Sequence, residues 1–161
     1  MRQRDCTTDE SLMREAVVEA RRAGACAEVP VGAVVALDGV IVGQGRNRPI
    51  HSLDPTAHAE IEALRAAARA VGNYRLTGAT IYVTVEPCLM CAGAIVHARI
   101  DRLVYGTREL KSGAVQSVMQ VLDSPLLNHR VEVVGGVLEG ECRELLREFF
   151  AKRRSRAEVI G

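Results

Sequence analysis

The sequence has no tryptophan and only five aromatic residues, two phenylalanines and three tyrosines, among 161 residues. A core built from it must therefore rely on aliphatic side chains. No apolar run reaches the roughly 18 residues needed to cross a bilayer, and the first ten residues hold no apolar segment typical of secretion. We therefore expect no membrane association and a cytoplasmic location.

An excess of one charge is also missing, because 21 basic residues face 20 acidic ones. The total charge therefore gives no indication of nucleic-acid binding. The five cysteines are an odd number, which argues against a framework of disulfides and makes metal binding the better hypothesis. Length and composition suit one globular domain over residues 1–161, with frayed tails at 1–8 and 155–161.

Helical and strand patterns alternate along the chain. A capping box at residues 7–10 predicts a first helix over 9–23. Two apolar runs, 31–37 and 40–44, flank the turn Asp38-Gly39 and predict an antiparallel hairpin.

The remaining predicted elements are helices at 61–71, 88–98 and 139–154, strands at 79–85, 103–105 and 131–134, a loop at 45–54 and a short helix at 117–122. Strands that alternate with helices imply parallel crossover connections. The predicted fold is therefore α/β, a three-layer α/β/α arrangement around a five-stranded mixed sheet, with an antiparallel N-terminal hairpin and parallel later strands.

Two predicted helix starts carry residues of the types that bind metals. One holds His58 and Glu60, and the other holds Cys88 and Cys91. Cysteines three residues apart at a helix start share one face, where the helix dipole stabilises thiolates. With the imidazole of His58 they form a ligand set of one nitrogen and two sulfurs, which suits zinc. We predict one zinc ion per chain, bound by His58, Cys88 and Cys91.

Three protein ligands leave the fourth position of a tetrahedral zinc site open, as in catalytic rather than structural sites. A base beside such a site is useful, and Glu60 is the candidate catalytic residue. Residues two apart on a regular helix point about 200° apart. If both side chains are to serve one metal, His58 must precede the regular helix or lie in its first turn, with Glu60 on the other side of the metal.

These residues also suit two other interpretations. The pair Cys88 and Cys91 also suits half of a structural zinc site or a redox-active dithiol. A structural site needs a fourth ligand, and none of the other cysteines or histidines has paired short-range spacing. A dithiol has no need of His58 or Glu60. Both halves together, in this order and each at a strand-to-helix junction, favour a catalytic zinc site.

The pattern His-x-Glu followed by Pro-Cys-x-x-Cys is the signature of zinc-dependent nucleobase deaminases, and it matches His58, Glu60, Pro87, Cys88 and Cys91. The chain also resembles the bacterial tRNA-specific adenosine deaminases, a family of the cytidine/deoxycytidylate deaminase superfamily, at residues 28–33, 47–50, 54–61, 73–76, 91–94 and 128–131. The resemblance extends from about residue 10 to 154 and implies a cytidine deaminase-like fold.

This resemblance implies hydrolysis of adenosine to inosine at the wobble position of tRNA, by a homodimer that binds the anticodon stem-loop. Glu60 would carry the protons, and Asn47 would contact the flipped nucleoside. Glu109 stands where the family typically has an aspartate that is associated with a sugar contact beside the target base. The longer side chain bears on the preference for neighbouring bases and not on the reaction.

The last predicted helix combines aromatic and basic residues. Phe150 and Arg153 suit stacked bases and a phosphate backbone, and we take them as candidate tRNA contacts. The alternatives are a core stripe and a solvated tail. Two other functions stay open: a deaminase of free bases, nucleosides or nucleotides of the guanine or cytosine type, which would not need this basic helix, and a zinc-stabilised RNA-binding module, which would not need Glu60.

Overall fold

The computed structural model describes the backbone of residues 3–160 and the side chains of residues 8–160. In this part of the chain, five strands form one sheet: β1 Gly32–Leu37, β2 Val40–Arg46, β3 Thr80–Val85, β4 Arg102–Thr107 and β5 Glu132–Gly135. The α-helices of the same residues are α1 Gln3–Ala25, α2 Pro49–Ser52, α3 Ala59–Val71, α4 Leu89–His97 and α5 Glu139–Ile160. None of these described helices is both long enough and apolar enough to cross a membrane.

The order of strands across the sheet is β2-β1-β3-β4-β5. Strand β1 runs antiparallel to both β2 and β3, whereas β3, β4 and β5 are parallel. Asp38 and Gly39 both have positive φ angles, 52° and 79°, as a tight two-residue hairpin turn requires. The mixed sheet, the N-terminal hairpin and the parallel later strands predicted from the sequence are confirmed.

Both faces of the sheet are buried. Val35 and Ile81 lie in a cluster with α3 and α4 on one face, and Val34 and Tyr82 lie in a cluster with α1 and α5 on the other. Because neighbouring residues of a strand point to opposite faces, a strand covered on both sides needs apolar residues throughout. The nearly unbroken apolar runs of β1 and β3 follow from this, and the predicted three-layer α/β/α arrangement is confirmed.

Helix α3 lies directly on β2 because two glycines leave room for it. A Cβ atom at Gly45 would overlap the carbonyl oxygen of Ala59 and the amide nitrogen of Ala63. A Cβ atom at Gly43 would overlap the backbone of Ala63 and Ala67 in the same way. The first turn of α3 is therefore held against the end of β2, where the two backbones approach closely.

The predicted ends of the first and last helices are wrong. Helix α1 begins at Gln3 and α5 ends at Ile160, so both helices extend beyond the predicted ends at residues 9 and 154. Residues 1–2 and 161 of the predicted tails lie outside the described residues, and the fraying of the tails stays a prediction. Neither helix contains a proline to interrupt it. Ion pairs one turn apart, such as Glu139 with Arg143 at 3.0 Å, also support α5.

Asp9, which belongs to the predicted capping box, makes a tertiary contact inside α1. Its buried carboxylate accepts hydrogen bonds from Nη1 and Nη2 of Arg102, both at 2.7 Å, and from the hydroxyl of Tyr82 at 2.9 Å. These bonds join α1 to β3 and β4. The residue pattern at 7–10 therefore does not mark a helix start.

Two shorter elements also differ from the prediction. The predicted loop 45–54 contains the end of β2 and all of α2, which begins at Pro49 because proline suits the first turn of a helix. The short helix predicted at 117–122 is a 3-10 turn at Val121–Asp123. The amide of Ser117 is bound by the carboxylate of Glu86 instead of a helical carbonyl group.

Candidate active site

His58 immediately precedes helix α3. Its backbone is extended, with φ −76° and ψ 155°, and it is the N-cap residue of the helix. The turn before it is held by Asp54, whose carboxylate accepts hydrogen bonds from the amide and the hydroxyl of Thr56 at 2.8 and 2.7 Å. The prediction that His58 lies before the regular helix or in its first turn is confirmed, and Glu60 follows it in the first turn.

Cys88 and Cys91 lie at the start of helix α4. Cys88 is extended, with φ −75° and ψ 176°, and caps the helix, while Cys91 is buried in the first turn. The predicted helix included Cys88, whereas α4 begins one residue later at Leu89. The extended N-cap conformation is the same as that of His58, so both halves of the motif are presented by similar backbone geometry.

Three side chains from these two helix starts converge. Nδ1 of His58 lies 3.6 Å from Sγ of Cys88 and 3.6 Å from Sγ of Cys91, and the three ligand atoms all lie within 4.8 Å of one another. Around a tetrahedral zinc ion with ordinary Zn–N and Zn–S bonds, nitrogen and sulfur ligands are roughly 3.5 Å apart. The separations and the donor set therefore fit a single metal ion of this kind.

The two thiols differ in their protonation. The hydrogen bond from Cys91, aided by His58, lowers the pKa of Cys88 to about 4, although burial opposes this. The hydrogen bond to Cys88 and burial raise the pKa of Cys91, and the hydrogen bond with Cys88 raises the pKa of His58. The cluster thus offers a thiolate at neutral pH, which is the form in which cysteine binds metals.

Glu60 is buried beside the cluster and is not one of its three ligands. Burial raises the pKa of its carboxyl group to about 7, while a hydrogen bond from Cys91 and the nearby His58 act in the opposite direction. A carboxyl group that titrates near neutral pH can both accept and donate a proton there. These are the properties that the predicted acid–base role requires, and the role itself stays a prediction.

A cleft of about 160 Å³ includes the cluster residues His58 and Cys88 together with Glu60. Its apolar lining consists of Val29, Val31 and Val85, and its polar lining includes Asn47, Glu86, Glu109 and Ser112. These residues come from the segment before β1, the end of β2, the end of β3 and the loop after β4. Asn47 and Glu109, both predicted to contact substrate, therefore lie in the same cleft as the catalytic candidates.

Asn47 also has a partner within the protein. Its side-chain Oδ1 accepts a hydrogen bond from the backbone amide of Ala59 at 2.8 Å. Its backbone amide donates a hydrogen bond to the carbonyl oxygen of Val31 at 3.1 Å. Asn47 therefore joins the end of β2 to the first turn of α3, next to His58. Its predicted contact with a nucleoside stays a prediction, and the side-chain NH₂ group is the part that could make it.

Phe150 and Arg153 lie outside the cleft, on α5. The guanidinium of Arg153 stacks on Phe149, 5.1 Å from the ring centroid, and Phe149 packs edge-on against Phe150 with ring centroids 5.4 Å apart. A groove of about 270 Å³, which we call the α5 groove, is lined by Gly24, Ala25, Ala27, Phe149, Lys152, Arg153 and Arg156. The aromatic residue of this groove is thus Phe149, whereas Phe150 is 41% exposed beside it.

Two buried glutamates in or near the cleft were missed by the sequence analysis. Glu28 accepts hydrogen bonds from the amides of Ile50 and His51 at 3.3 and 3.0 Å and lies 2.9 Å from Nδ1 of His51, so it holds α2 in place. Glu86 binds the loop after β4. In the sequence, each glutamate is a single acidic residue near one end of an apolar strand segment. Such a position does not indicate which groups the carboxylate binds.

We expect Glu28→Gln to destabilise the protein by about 1–3 kcal/mol at neutral pH and by less in acid. Burial opposes the charge of Glu28, but the hydrogen bonds from His51 and Ile50 outweigh it and lower the pKa of this carboxyl below its usual 4.5. A lowered folded-state pKa adds stability that is present above pH 4.5 and is lost as the pH falls through the folded-state value. Urea unfolding of both proteins on either side of pH 4.5 measures this difference, and a gap that stays constant with pH would contradict it.

Comparison with known proteins places the chain among deaminases. The family model of the MafB19-like deaminases matches residues 7–154. A tRNA-specific adenosine deaminase of Haemophilus influenzae is 50% identical over 152 residues, which cover 94% of this chain and 88% of the relative. A second, from Agrobacterium fabrum, is 49% identical over 143 residues, which cover 89% of this chain and 94% of the relative.

A solved structure gives the same result. It comes from a study of A-to-I editing by tRNA:A34 deaminases at the wobble position of transfer RNA, and it matches with a TM-score of 0.82 at 48% identity, covering 84% of this chain and 99% of that one. The chain therefore belongs to the MafB19-like deaminase family and, within it, to the tRNA-specific adenosine deaminases. The resemblance and the cytidine deaminase-like fold predicted from the motifs are confirmed.

Proposed function

We propose that this protein is a zinc-dependent enzyme that hydrolyses adenosine to inosine at the wobble position of a tRNA anticodon. The observation that carries the proposal is the convergence of His58, Cys88 and Cys91 beside the buried Glu60 in one cleft. The activity named for relatives that are 50% and 49% identical to this chain supports it.

His58, Cys88 and Cys91 would hold one zinc ion per chain. Zinc bound there acts as a Lewis acid that makes water a stronger acid and a better nucleophile. Two thiolates and a neutral imidazole offset the charge of the ion, so a separate base contributes more here than beside a site of three histidines.

Glu60 is the proton carrier of the proposed reaction. The bond between C6 of adenine and its amino nitrogen breaks, the oxygen of water becomes the C6 carbonyl oxygen, and ammonia leaves. Glu60 accepts one proton from water and delivers it to the ring nitrogen, and then accepts the remaining proton of the new C6 hydroxyl group and delivers it to the departing amino group. Burial raises the pKa of this carboxyl group, so it holds a proton more readily than an exposed carboxylate does.

The other cleft residues hold the nucleoside. Val29, Val31 and Val85 offer an apolar surface to the faces of the base, and the NH₂ group of Asn47 supplies a donor beside it. Glu109 lies at the cleft with its Oε1 bound to the amide of Lys111 at 2.8 Å, and its second oxygen is the group to contact a neighbouring sugar. An unpaired nucleotide of a loop reaches this cleft at a lower cost than one stacked in a duplex.

The α5 groove is the proposed contact for the rest of the anticodon stem-loop. Its three basic side chains, Lys152, Arg153 and Arg156, suit phosphates, and the ring of Phe149 suits a stacked base. Ala27 lines the groove, and Val29 and Val31 of the same short segment line the cleft, so this segment connects the two surfaces. Phe150 lies at the edge of this surface, and Arg153 contributes to it directly.

The test is inosine formation on two substrates. We expect turnover of a short RNA hairpin with an ACG anticodon loop and none of free adenosine, because the free nucleoside lacks the contacts of the α5 groove. Efficient turnover of free adenosine, guanine or cytidine would support a deaminase of small substrates instead. Hairpin binding without any turnover would support the non-catalytic RNA-binding module.

A homodimer, which the resemblance to the tRNA deaminases implies, and a cytoplasmic location, which suits an enzyme that modifies tRNA, are part of the proposal. A groove between α3 and α4, lined by apolar residues such as Ile61, Leu64 and Ala94 and also by Arg65 and His97, is the candidate face for the second copy. Size-exclusion chromatography with light scattering should give twice the 17.4 kDa chain mass. A single species at the chain mass would contradict the dimer.

A further inference from the structure

We propose that Glu86 is a positioning residue that anchors residues 108–118, the cleft loop, beside the catalytic cleft and so sets how the RNA that flanks the target adenosine is held. The inference rests on the proposed function, because it concerns how the same cleft holds its substrate. Glu86 lies two residues before Cys88 in the sequence but is not one of the three clustered ligands. Its partners lie on the cleft loop.

The carboxylate of Glu86 is buried, with 3% of the residue exposed. Oε1 accepts a hydrogen bond from the hydroxyl of Ser117 at 2.6 Å, and Oε2 accepts the amide of Ser117 at 3.1 Å and that of Gln116 at 3.4 Å. All three donors belong to the cleft loop. Hydrogen bonds to a charged acceptor are the stronger kind, and a buried carboxylate that loses its donors is costly.

The cleft loop also lies against the segment that leads into α4. The amide of Ala114 donates to the carbonyl oxygen of Pro87 at 2.9 Å, and Gly113 forms an isolated bridge with Cys88. A Cβ atom at Gly113 would overlap Oε2 of Glu86, so the loop backbone packs directly on this carboxylate. Glu86 therefore fixes the loop at a set distance from the metal-binding motif.

The part of the loop that Glu86 holds is joined to the part that faces substrate. Glu109 and Ser112 line the cleft. The backbone carbonyl oxygen of Glu109 accepts a hydrogen bond from the amide of Gly113 at 2.9 Å, and the side-chain Oε1 of Glu109 accepts one from the amide of Lys111. A released anchor would displace Glu109 and Ser112, whereas the start of α3 with His58 and Glu60 is held by Asp54 and Asn47, outside the cleft loop. Substrate binding should therefore suffer more than the chemical step.

The first test compares Glu86→Gln with the wild-type protein on the RNA hairpin. Glutamine keeps the size of the side chain but loses the charge. Its NH₂ group, which is a donor, would face the donors of the loop and could not accept their hydrogen bonds. We expect KM to rise about tenfold, kcat to change by less than about threefold, and zinc content to stay the same. Glu15→Gln, an exposed carboxylate on α1, is the matched control and should leave both constants unchanged.

A merely structural role of Glu86 predicts a different result. In that case Glu86→Gln would lower the melting temperature or the zinc content and would reduce kcat along with the amount of folded protein, with KM unchanged. That outcome would overturn the proposal. An unchanged KM together with normal stability would overturn it as well.

A double-mutant cycle tests whether the effect runs through the loop contact. Ser117→Ala removes one donor to Glu86 and should raise KM in the same direction by a smaller factor. The same change in the Glu86→Gln background should add little, because both substitutions break one contact. Fully additive effects on log KM would show that Glu86 acts elsewhere and would overturn the proposal.

Hydrogen–deuterium exchange without substrate keeps this inference separate from the proposed function. We expect the amides of residues 108–118 to exchange faster in Glu86→Gln, while those of α3 stay protected. If the wild-type protein fails to deaminate the hairpin, the proposed function fails, and the exchange data still decide whether Glu86 anchors the loop. Unchanged exchange in the cleft loop of Glu86→Gln would overturn the anchor.

Discussion

Glu60→Ala is expected to abolish inosine formation while the protein retains about one zinc ion per chain. Glu60 is buried beside the three clustered ligands without being one of them, so its loss removes the proton carrier and leaves the metal ligands intact. General acid–base catalysis contributes about 10²–10⁴-fold, and we expect a rate reduction of at least this size. Single-turnover kinetics on the hairpin and metal analysis of the purified variant measure the two quantities.

Two further variants sharpen this prediction. Glu60→Gln keeps the shape of the side chain and should be as inactive as Glu60→Ala, because an amide cannot carry the proton. Glu62→Ala is the matched control, since Glu62 lies in the same first turn of α3 and does not line the cleft. Loss of zinc in Glu60→Ala, or turnover in Glu60→Gln, would count against the assigned role.

Cys91→Ala is expected to lose both zinc and activity. Cys91 is fully buried and its sulfur lies 3.6 Å from Nδ1 of His58, so no water or other side chain can readily replace it. Even groups that only orient metal ligands are worth about 10–100-fold in affinity, and loss of a ligand itself should weaken zinc binding by more than about 100-fold. Competition with a chromogenic chelator measures the affinity directly.

The control for this prediction is another cysteine of the same chain. Cys26 is exposed and lies outside the cluster, and Cys26→Ala should keep zinc, activity and stability. If Cys91→Ala retained a full complement of zinc, the proposed ligand set would be wrong. If it lost zinc but kept turnover, the metal would have no part in the reaction.

The candidate site could be predicted because its ligands are encoded in short segments. The spacing of Cys88 and Cys91 and the start of α4 after Pro87 bring two sulfurs together locally, and the same is true of His58 and Glu60 at the start of α3. The argument that residues two apart cannot share a helix face limited His58 to a position before the helix or in its first turn, and the structure shows it at the N-cap. That the two halves meet follows from the topology, because α3 and α4 both lie on the same face of the sheet.

Helix ends were predicted less well because competing tertiary contacts decide them. Asp9 looks like part of a helix cap, yet its carboxylate binds Arg102 and Tyr82 across the sheet. Pro49 looks like a break, yet it starts α2, which Glu28 holds from 22 residues away. A local sequence pattern indicates the secondary-structure propensity of a segment, but it does not indicate which distant residues contact that segment.

The sequence by itself determined the α/β class, the hairpin, the strand-to-helix junctions and the three candidate metal ligands with their neighbouring carboxyl group. Each of these depends on periodicity or on spacing within a few residues, and both can be seen in the sequence alone. Only the tertiary structure decided that Glu28 and Glu86 secure the walls of the cleft and that Phe149, rather than Phe150, stacks with Arg153. Those contacts join two buried carboxylates and an aromatic ring to particular partner groups. Which of these groups lie close together depends on how the whole chain packs, and the periodicity of the sequence does not show this.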